Sequence, residues 1–268
     1  MMAKKNSDVT NEEDVKALYS TISHKLPPVA GVVHGAMVLR DTVIRDMSFE
    51  QMTDVLKPRV QGTLNLDRIL NRDLEFFILL SSMTGVIGNM GQANYTTANA
   101  FMSSLAANRR KRGLAASVVN VGVIVGAGYV TREVSNMDET RLDRGGMMRM
   151  SETDFHQMIA EAIETGRPGS HHDPEVSTGL REIPENSPFL PTWHDNPKFS
   201  RFVLRESANG GDKGAERTGL SVQQRLQAAE VEDEVRTLIK GERVCVCVCV
   251  CHVTVFLVFD DGWQQSEE

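Results

Sequence analysis

The stretch that most constrains this chain runs from Ile78 to Asn99 and reads ILLSSMTGVIGNMGQANYTTAN. It begins as an apolar run ending at Ser82, passes through glycine-spaced residues, and becomes a helical pattern near Tyr95. This order is typical of a buried strand, a loop and a helix, because the helix shows apolar residues at helical spacing after the turn residues. Ser82 and Tyr95 are 13 positions apart, and Asn99 follows Tyr95 by four. This order predicts that a hydroxyl, a phenol and an amide meet beside one small pocket.

The rest of the chain alternates between the same two patterns. Apolar runs bounded by turn residues predict strands over 29–34, 75–82, 115–121 and 175–180. Apolar residues at helical spacing, with capping residues before them, predict helices over 11–25, 48–70, 94–112 and 151–165. Strands that alternate with helices form βα units, so the predicted fold class is α/β with a parallel sheet. We expect Pro58 to kink or split the second helix.

Composition excludes several classes of partner. The net charge of -7 and the scattered Lys and Arg residues argue against nucleic acid. No apolar run approaches the roughly 20 residues that span a bilayer, and the polar N-terminus lacks a signal-peptide core. Residues 1–244 contain no cysteine, which excludes a disulfide scaffold there and favours a cytoplasmic location. We therefore expect no nucleic-acid, membrane or metal partner.

The end of the chain differs in composition. Residues 207–219 are rich in Gly, Ser and charge, which indicates a linker, and 221–240 have helical periodicity. From Val244 onward Val and Cys alternate, and all four cysteines lie there. Three interpretations remain: a thiolate metal site without the usual C-x2-C spacing, an edge strand prone to aggregation, or translated non-coding sequence. We favour the third, because a GT repeat encodes alternating Val and Cys.

The spacing of Ser82 and Tyr95 suggests a chemistry. Reduction of a carbonyl by a nicotinamide requires a proton donor beside the carbonyl oxygen. A tyrosine serves if a nearby cation lowers its ordinary pKa of about 10, and a serine hydroxyl can hold the oxygen. The same two residues also fit a plain strand end and a plain helix start, so spacing alone leaves both interpretations open.

Four motifs that occur in order reduce this ambiguity: VVHGA at 32–36, FFILLSS at 76–82, GQANYTTANAF at 91–101 and VVNVG at 118–122. Together they resemble the ketoreductase domains of polyketide synthases, in the short-chain dehydrogenase/reductase family. GYVTREVSN at 128–136 and the stretch 150–170 are similar to those of fungal highly reducing synthases. The resemblance covers about 14–205. It implies NADPH-dependent reduction of a β-ketoacyl chain bound to the phosphopantetheine of an acyl carrier domain.

The resemblance also implies roles for individual residues. Tyr95 matches the proton donor, Ser82 the serine that binds the carbonyl oxygen, and Asn99 the asparagine one turn later. Arg59, within KPRVQGT at 57–63, stands where these ketoreductases have a catalytic lysine. Its guanidinium stays cationic but is bulkier than an ammonium group. The residues implied for the nicotinamide end of the cofactor are His34, Gly35, Ala36, Val121, Gly122 and Val123.

A second departure from the family is larger. No G-x-G-x-x-G follows a predicted strand, and Gly85, Gly88 and Gly91 have the wrong spacing for a phosphate-binding loop. We therefore predict a Rossmann-like parallel sheet lacking its N-terminal phosphate-binding half, with the strand at 29–34 as an exposed edge.

The sequence predicts three domains and leaves two hypotheses on function. The predicted domains are 1–205 as a partial ketoreductase, 206–241 as a linker and helix toward a carrier domain, and 242–268 as an aberrant tail. The first function is β-ketoacyl reduction in secondary-metabolite biosynthesis by a working reductase that an upstream polypeptide with the missing half completes. The alternative is an inactive remnant or truncated gene model with no enzymatic role.

Overall fold

The computed structural model describes residues 3–4, 7–70, 74–125, 142, 144–205, 245–250 and 253–259. For 3–4, 245–250 and 253–259 only the backbone is described. The chain divides into two compact units. The first comprises Met1–Gly122, Met158–Thr178 and Glu242–Glu268, and the second comprises Val123–Gln157 and Gly179–Gly241.

The secondary-structure elements follow the predicted alternation. The helices are α1 (Glu12–Lys25), α2 (Phe49–Ile69), α3 (Thr84–Ile87), α4 (Ala93–Lys111) and α5 (Glu152–Thr165). Short 3-10 helices cover Ile44–Asp46 and Pro197–Phe202. The strands up to residue 150 are β1 (Ala3–Lys4), β2 (Val29–His34), β3 (Phe76–Ser82), β4 (Ser117–Val121), β5 (Val123–Ile124) and β6 (Arg149–Met150). The later strands are β7 (Glu175–Ser177), β8 (Ile183–Pro184), β9 (Val203–Leu204), β10 (Cys245–Val250) and β11 (Val253–Phe259).

The main sheet lies in the first unit and, within the part of the chain described, has the strand order β1-β10-β11-β2-β3-β4-β7. The strands β2, β3, β4 and β7 run parallel to one another. Successive residues of β3, Phe77, Ile78 and Leu79, are fully buried, which requires that both faces of the sheet be covered. The predicted α/β class with a parallel sheet is therefore confirmed.

The outer edge of β2 is not exposed, so that prediction was wrong. Strand β11 pairs with β2 in antiparallel orientation, with Val255 opposite His34 and Leu257 opposite Val32. Strand β10 then pairs antiparallel with β11. Backbone N–H and C=O groups at a buried sheet edge need partners, and this remote hairpin supplies them. The pairing does not bear on the origin of the Val/Cys repeat, which stays a prediction.

Helix α2 runs unbroken through Pro58, so of the two predicted effects a split was wrong and a kink stays a prediction. The helix begins with a capping box between Ser48 and Gln51. Its buried face includes Val55, Arg59 and Leu66. A proline removes one backbone donor, and the cap together with this buried face holds the helix despite that loss.

Helix α4 is anchored at its C-terminal end by a buried ion pair. Arg109 has no exposed side-chain surface and donates to the carboxylate of Asp67 on α2 and, through Nε, to the carbonyl of Ala115 at 3.0 Å. Its guanidinium lies 4.0 Å from the ring centroid of Phe77 on β3. Gly113, with φ of 75°, follows the end of the helix in the left-handed conformation that favours glycine. These contacts fix α4 against both α2 and the sheet.

The second unit is built from short pieces. Strands β5 and β6 form one parallel pair, and β8 and β9 form another. Trp193 is buried against Phe199, with ring centroids 5.4 Å apart, and its indole N–H donates to the carbonyl of Gly145 at 2.9 Å. The predicted helix at 221–240 and the whole of GYVTREVSN at 128–136 lie outside the described residues. The three-part domain division stays a prediction.

Candidate active site

The candidate site lies where the carboxyl end of β3 meets the first turn of α4. Ser82 is the last residue of β3, and Tyr95 is the third residue of α4. Arg59 comes from the buried face of α2. The strand end fixes the serine, and the α2–α4 packing fixes the other two side chains, so all three positions are set by regular structure and not by a loop.

Arg59 is the centre of the polar contacts. Its side chain is almost completely buried, with 2% of the residue exposed. Nη2 donates to the phenol oxygen of Tyr95 at 2.9 Å, and Nη1 donates to the carbonyl of Leu80 at 3.0 Å and to Oδ1 of Asn99. Burial lowers the pKa of Arg59, while the neighbouring phenol of Tyr95 acts to raise it. Because a guanidinium remains protonated in proteins, the site keeps a fixed positive charge at the phenol oxygen.

Tyr95 is held at its backbone as well as at its hydroxyl. Its N–H donates to Oδ1 of Asn94 at 2.8 Å, and Nδ2 of Asn94 donates to the carbonyl of Arg40 at 3.0 Å. The phenol also lies 3.7 Å from the sulfur of Met37. The loop after β2 is therefore tied to the start of α4, which leaves Tyr95 with 7% exposure.

Two further contacts join these loops. The N–H of Thr42 donates to the carbonyl of Gly91 at 2.8 Å, and Nε2 of Gln92 donates to the carboxylate of Asp41 at 2.8 Å. Neither Asn94 nor Gln92 was among the residues predicted for the site. The signal that could have found them is their position: loops after adjacent parallel strands meet at the same edge of the sheet.

Ser82 is half-buried and makes its hydrogen bonds within its own loop. Its Oγ lies 3.2 Å from the N–H of Thr84 and 3.2 Å from Oγ1 of Thr84. Within the region that the structure covers, no direct hydrogen bond joins Ser82 to Tyr95. The two predicted residues flank the same sheet edge and do not contact each other through their polar atoms.

Asn99 lies one turn beyond Tyr95 and is 1% exposed. Its amide oxygen is taken by Arg59. A Cβ at Gly85 would lie 3.0 Å from Cβ of Asn99, so helix α3 approaches α4 closely only because residue 85 is a glycine. Asn99 thus binds the guanidinium of Arg59 and packs against the loop after β3.

The residues implied for the cofactor lie at the ends of β2 and β4. Gly35 and Ala36 follow β2. Val121 is the last residue of β4, and Gly122 comes directly after it. Val123 lies in the second unit. Because ligands of parallel sheets bind outside the carboxyl ends of the strands, the four residues of the first unit stand where a nicotinamide ring could lie.

His34 is a buried, hydrogen-bonded residue at the end of β2, and its place beside the cofactor stays a prediction. Its side chain is 1% exposed, and Nε2 donates to the carbonyl of Pro58 at 3.2 Å, since a carbonyl can only accept. Burial lowers the pKa of His34 to about 3, and the positive charge of Arg59 acts in the same direction. The ring is therefore neutral and packs on the α2 turn that carries Arg59.

The diphosphate end of a dinucleotide has no matching cradle in the described ranges. A cradle of this kind needs a glycine-rich loop between a parallel strand and a helix N-terminus. On the outer side of β2 the neighbour is β11, which is antiparallel. The residues present fit the nicotinamide end of the cofactor and do not fit its phosphates.

Membrane-spanning helices and metal clusters are both missing from the described residues. None of their helices has the length and apolar character needed to cross a membrane. No three His, Cys, Asp or Glu side chains among them lie close enough to hold a metal ion. The predicted absence of a metal site and the cytoplasmic location stay predictions.

A strand-end serine and a helix-start tyrosine with a buried cation at its phenol form the arrangement that the resemblance to short-chain reductases implies. Comparison with known proteins gives the family: residues 3–126 match the family described as the KR domain. The match includes Arg59, Ser82, Tyr95 and Asn99 and covers a little less than half of the chain. The recognition made from the sequence motifs is confirmed.

Fungal synthases are among the relatives of this chain. It is 50% identical over 238 residues to the highly reducing polyketide synthase calA of Penicillium decumbens, in an alignment that covers 87% of this chain. It is 47% identical over 234 residues to the highly reducing polyketide synthase bet1 of Neocamarosporium betae, again over 87% of this chain. In both cases the chain spans only 8% of the relative's length.

Solved ketoreductases share the fold. One from the first module of phoslactomycin biosynthesis in a Streptomyces species is 31% identical, with a TM-score of 0.56 over 65% of this chain and 38% of that one. A ketoreductase domain from the bacillaene assembly line is 28% identical, with a TM-score of 0.56 over 64% of this chain and 41% of that one. The predicted Rossmann-like fold is confirmed, and these shares are consistent with a sheet that lacks its N-terminal half.

Proposed function

We propose that this chain is the catalytic part of a ketoreductase that reduces a β-ketoacyl chain. The acyl chain would be a thioester on the phosphopantetheine of an acyl carrier domain, in a secondary-metabolite pathway. The observation that carries the proposal is the 2.9 Å hydrogen bond from Nη2 of Arg59 to the phenol oxygen of Tyr95. The family match and the highly reducing synthases among the relatives support the substrate class.

Each residue has one task in this reaction. Tyr95 gives its phenolic proton to the carbonyl oxygen, and Arg59 stabilises the phenolate that remains. Ser82 donates a hydrogen bond to the same carbonyl oxygen, which favours the charge that develops there. Asn99 keeps the guanidinium of Arg59 in place through its amide oxygen.

The proposed cofactor is NADPH, which supplies the hydride when bound. In the proposal Gly35, Ala36, Val121 and Gly122 border its nicotinamide end, and Val123 keeps the same role by resemblance. The diphosphate finds no glycine-rich cradle in the described part of the chain. Affinity for NADPH is therefore the first quantity to measure.

The test uses the full chain. We expect a β-ketoacyl pantetheine thioester to be reduced with loss of NADPH absorbance. Calorimetric titration should show NADPH binding that is weak for a dinucleotide enzyme, because the described residues offer the diphosphate no glycine-rich cradle. Tyr95→Phe and Ser82→Ala should each lower kcat about 100- to 1,000-fold, the usual effect of removing a transition-state hydrogen-bond donor.

Matched controls separate these effects from general damage. Tyr19→Phe changes a partly buried tyrosine of α1. Ser104→Ala removes a hydroxyl that bonds only the carbonyl of Ala100 within α4. Both should leave kcat unchanged. If the wild-type chain neither binds NADPH nor reduces the thioester, the proposal fails and the inactive-remnant alternative stands.

A further inference from the structure

We propose that Thr84 is a positioning residue that directs the hydroxyl proton of Ser82 toward the substrate carbonyl. The inference rests on the proposed role of Ser82 and deepens it, because it names the group that orients the serine. It starts from the two contacts between these residues. Oγ of Ser82 lies 3.2 Å from the backbone nitrogen of Thr84 and 3.2 Å from its Oγ1.

The valence of a hydroxyl gives these contacts a direction. A serine hydroxyl has one proton to donate and two lone pairs that accept. The N–H of Thr84 can only donate, so it fills one lone pair of Ser82. When the hydroxyl of Thr84 donates as well, both lone pairs are filled and the proton of Ser82 points out of the loop. In the reverse arrangement Ser82 would donate to Thr84 and have no proton for a substrate.

Thr84 is itself fixed by the helix that carries Tyr95. Its carbonyl accepts from the hydroxyl of Thr96 at 3.4 Å and from the N–H of Gly88 at 3.0 Å. Thr96 directly follows Tyr95 on α4. The group that orients Ser82 is thus tied to the same helical turn as the proton donor.

The loop around Thr84 also has little room to shift. The N–H of Met83 donates to the carbonyl of Val121 on β4 at 2.9 Å. On the other side, Gly85 approaches Asn99 so closely that an added Cβ would lie 3.0 Å from Cβ of Asn99. A hydroxyl held on such a turn keeps one direction, and that is the condition for a preorganised hydrogen-bond donor.

The test compares Thr84→Val with Thr84→Ser in the full chain. Valine keeps the branched shape and the backbone N–H and removes only the hydroxyl. We expect Thr84→Val to lower kcat about tenfold with KM and NADPH affinity unchanged, since a misdirected donor weakens the transition state more than substrate binding. Thr84→Ser restores the hydroxyl and should recover kcat. Thr53→Val, which removes a hydroxyl bonded to the carbonyl of Phe49 on α2, should leave kcat unchanged.

A double-mutant cycle decides whether Thr84 acts through Ser82. In the Ser82→Ala background, Thr84→Val should cause no further loss of kcat, because the hydroxyl that it orients is gone. A full tenfold loss in that background overturns the proposal, as does a Thr84→Val variant with wild-type kcat.

A stability cycle keeps this test separate from the proposed function. The urea midpoints of Ser82→Ala, Thr84→Val and the double variant should be non-additive, because the two side chains are hydrogen-bonded to each other. Additive midpoints overturn the inference even in a protein without activity. A wild-type chain that lacks activity but shows non-additive midpoints would refute the proposed function and leave Thr84 as the residue that holds Ser82.

Discussion

Arg59 and Tyr95 contact each other in two ways at once. Nη2 of Arg59 donates to the phenol oxygen at 2.9 Å, and the guanidinium carbon lies 4.5 Å from the centroid of the tyrosine ring. One planar cation therefore supports both the oxygen and the face of the same side chain. A lysine ammonium is a point charge and has no plane to lie against the ring.

This contact predicts an order among substitutions at Arg59. Arg59→Met removes the charge at the phenol and should lower kcat about 100- to 1,000-fold, the scale of a lost electrostatic contact in the transition state. Arg59→Lys keeps the positive charge and should therefore retain more activity than Arg59→Met. It loses the planar guanidinium that donates to the carbonyl of Leu80 and to Oδ1 of Asn99. Steady-state kinetics with a β-ketoacyl pantetheine thioester measures kcat for both variants. Arg68→Met, at an exposed position of the same helix, is the control. Equal kcat for Arg59→Met and the wild type would refute the role.

The buried neutral His34 predicts a pH dependence of stability. Its pKa is about 3 in the folded chain against 6.5 for the free group, so below pH 6.5 the unfolded state binds more protons. Its contribution is complete above pH 6.5 and is lost as pH falls toward 3, by about 1.4 kcal/mol per unit. His34→Gln keeps a donor for the carbonyl of Pro58 without titrating. It should therefore flatten the fall in unfolding free energy between pH 6.5 and 5.

Urea unfolding at several pH values measures this slope. His172→Gln, in a solvent-exposed turn, should leave the slope as in the wild type. Parallel curves for wild type and His34→Gln would show that His34 is protonated in the folded state, contrary to the structure.

The ion pair at the far end of α4 predicts a large loss of stability. Asp67→Asn removes the anion beside Arg109, whose side chain has no exposed surface. A buried charge left without its partner typically costs about 3–5 kcal/mol, and urea unfolding should show a loss of that size. Asp46→Asn, which breaks the exposed pair with Arg45, should change stability by less than about 0.5 kcal/mol. A small effect at Asp67 would mean that Arg109 reaches solvent or another acceptor.

The pairing of β2 with the C-terminal hairpin predicts the effect of truncation. Ending the chain after Gly241 removes β10 and β11 and leaves the outer backbone groups of β2 without partners. Such an edge favours pairing with other chains, so we expect more self-association by light scattering than for the full chain. Ending the chain after Phe259 keeps both strands and should behave like the full chain. Truncated protein as monodisperse as the full chain would show that β11 does not cover β2.

Local pattern in the sequence was enough to place most of the site. Apolar runs and glycines set β2 and β3, and the Ser48–Gln51 capping box set the start of α2 as observed. The interval from Tyr95 to Asn99 is one helical turn, so both residues lie on one face of α4 in any packing of that helix. These features depend only on residues close together in the chain.

Tertiary structure decided what depends on remote contacts. Lys57 and Arg59 both lie on α2, but packing buries Arg59 and leaves Lys57 exposed, which makes Arg59 the cation that reaches Tyr95. No local pattern joins Val255 to His34, because that pairing satisfies a sheet edge across the length of the chain. The sequence by itself determined which residues form strands and helices and which face they share. Only the folded structure decided which cation meets the phenol and which strand covers β2, because both choices depend on burial and on backbone partners far away in the chain.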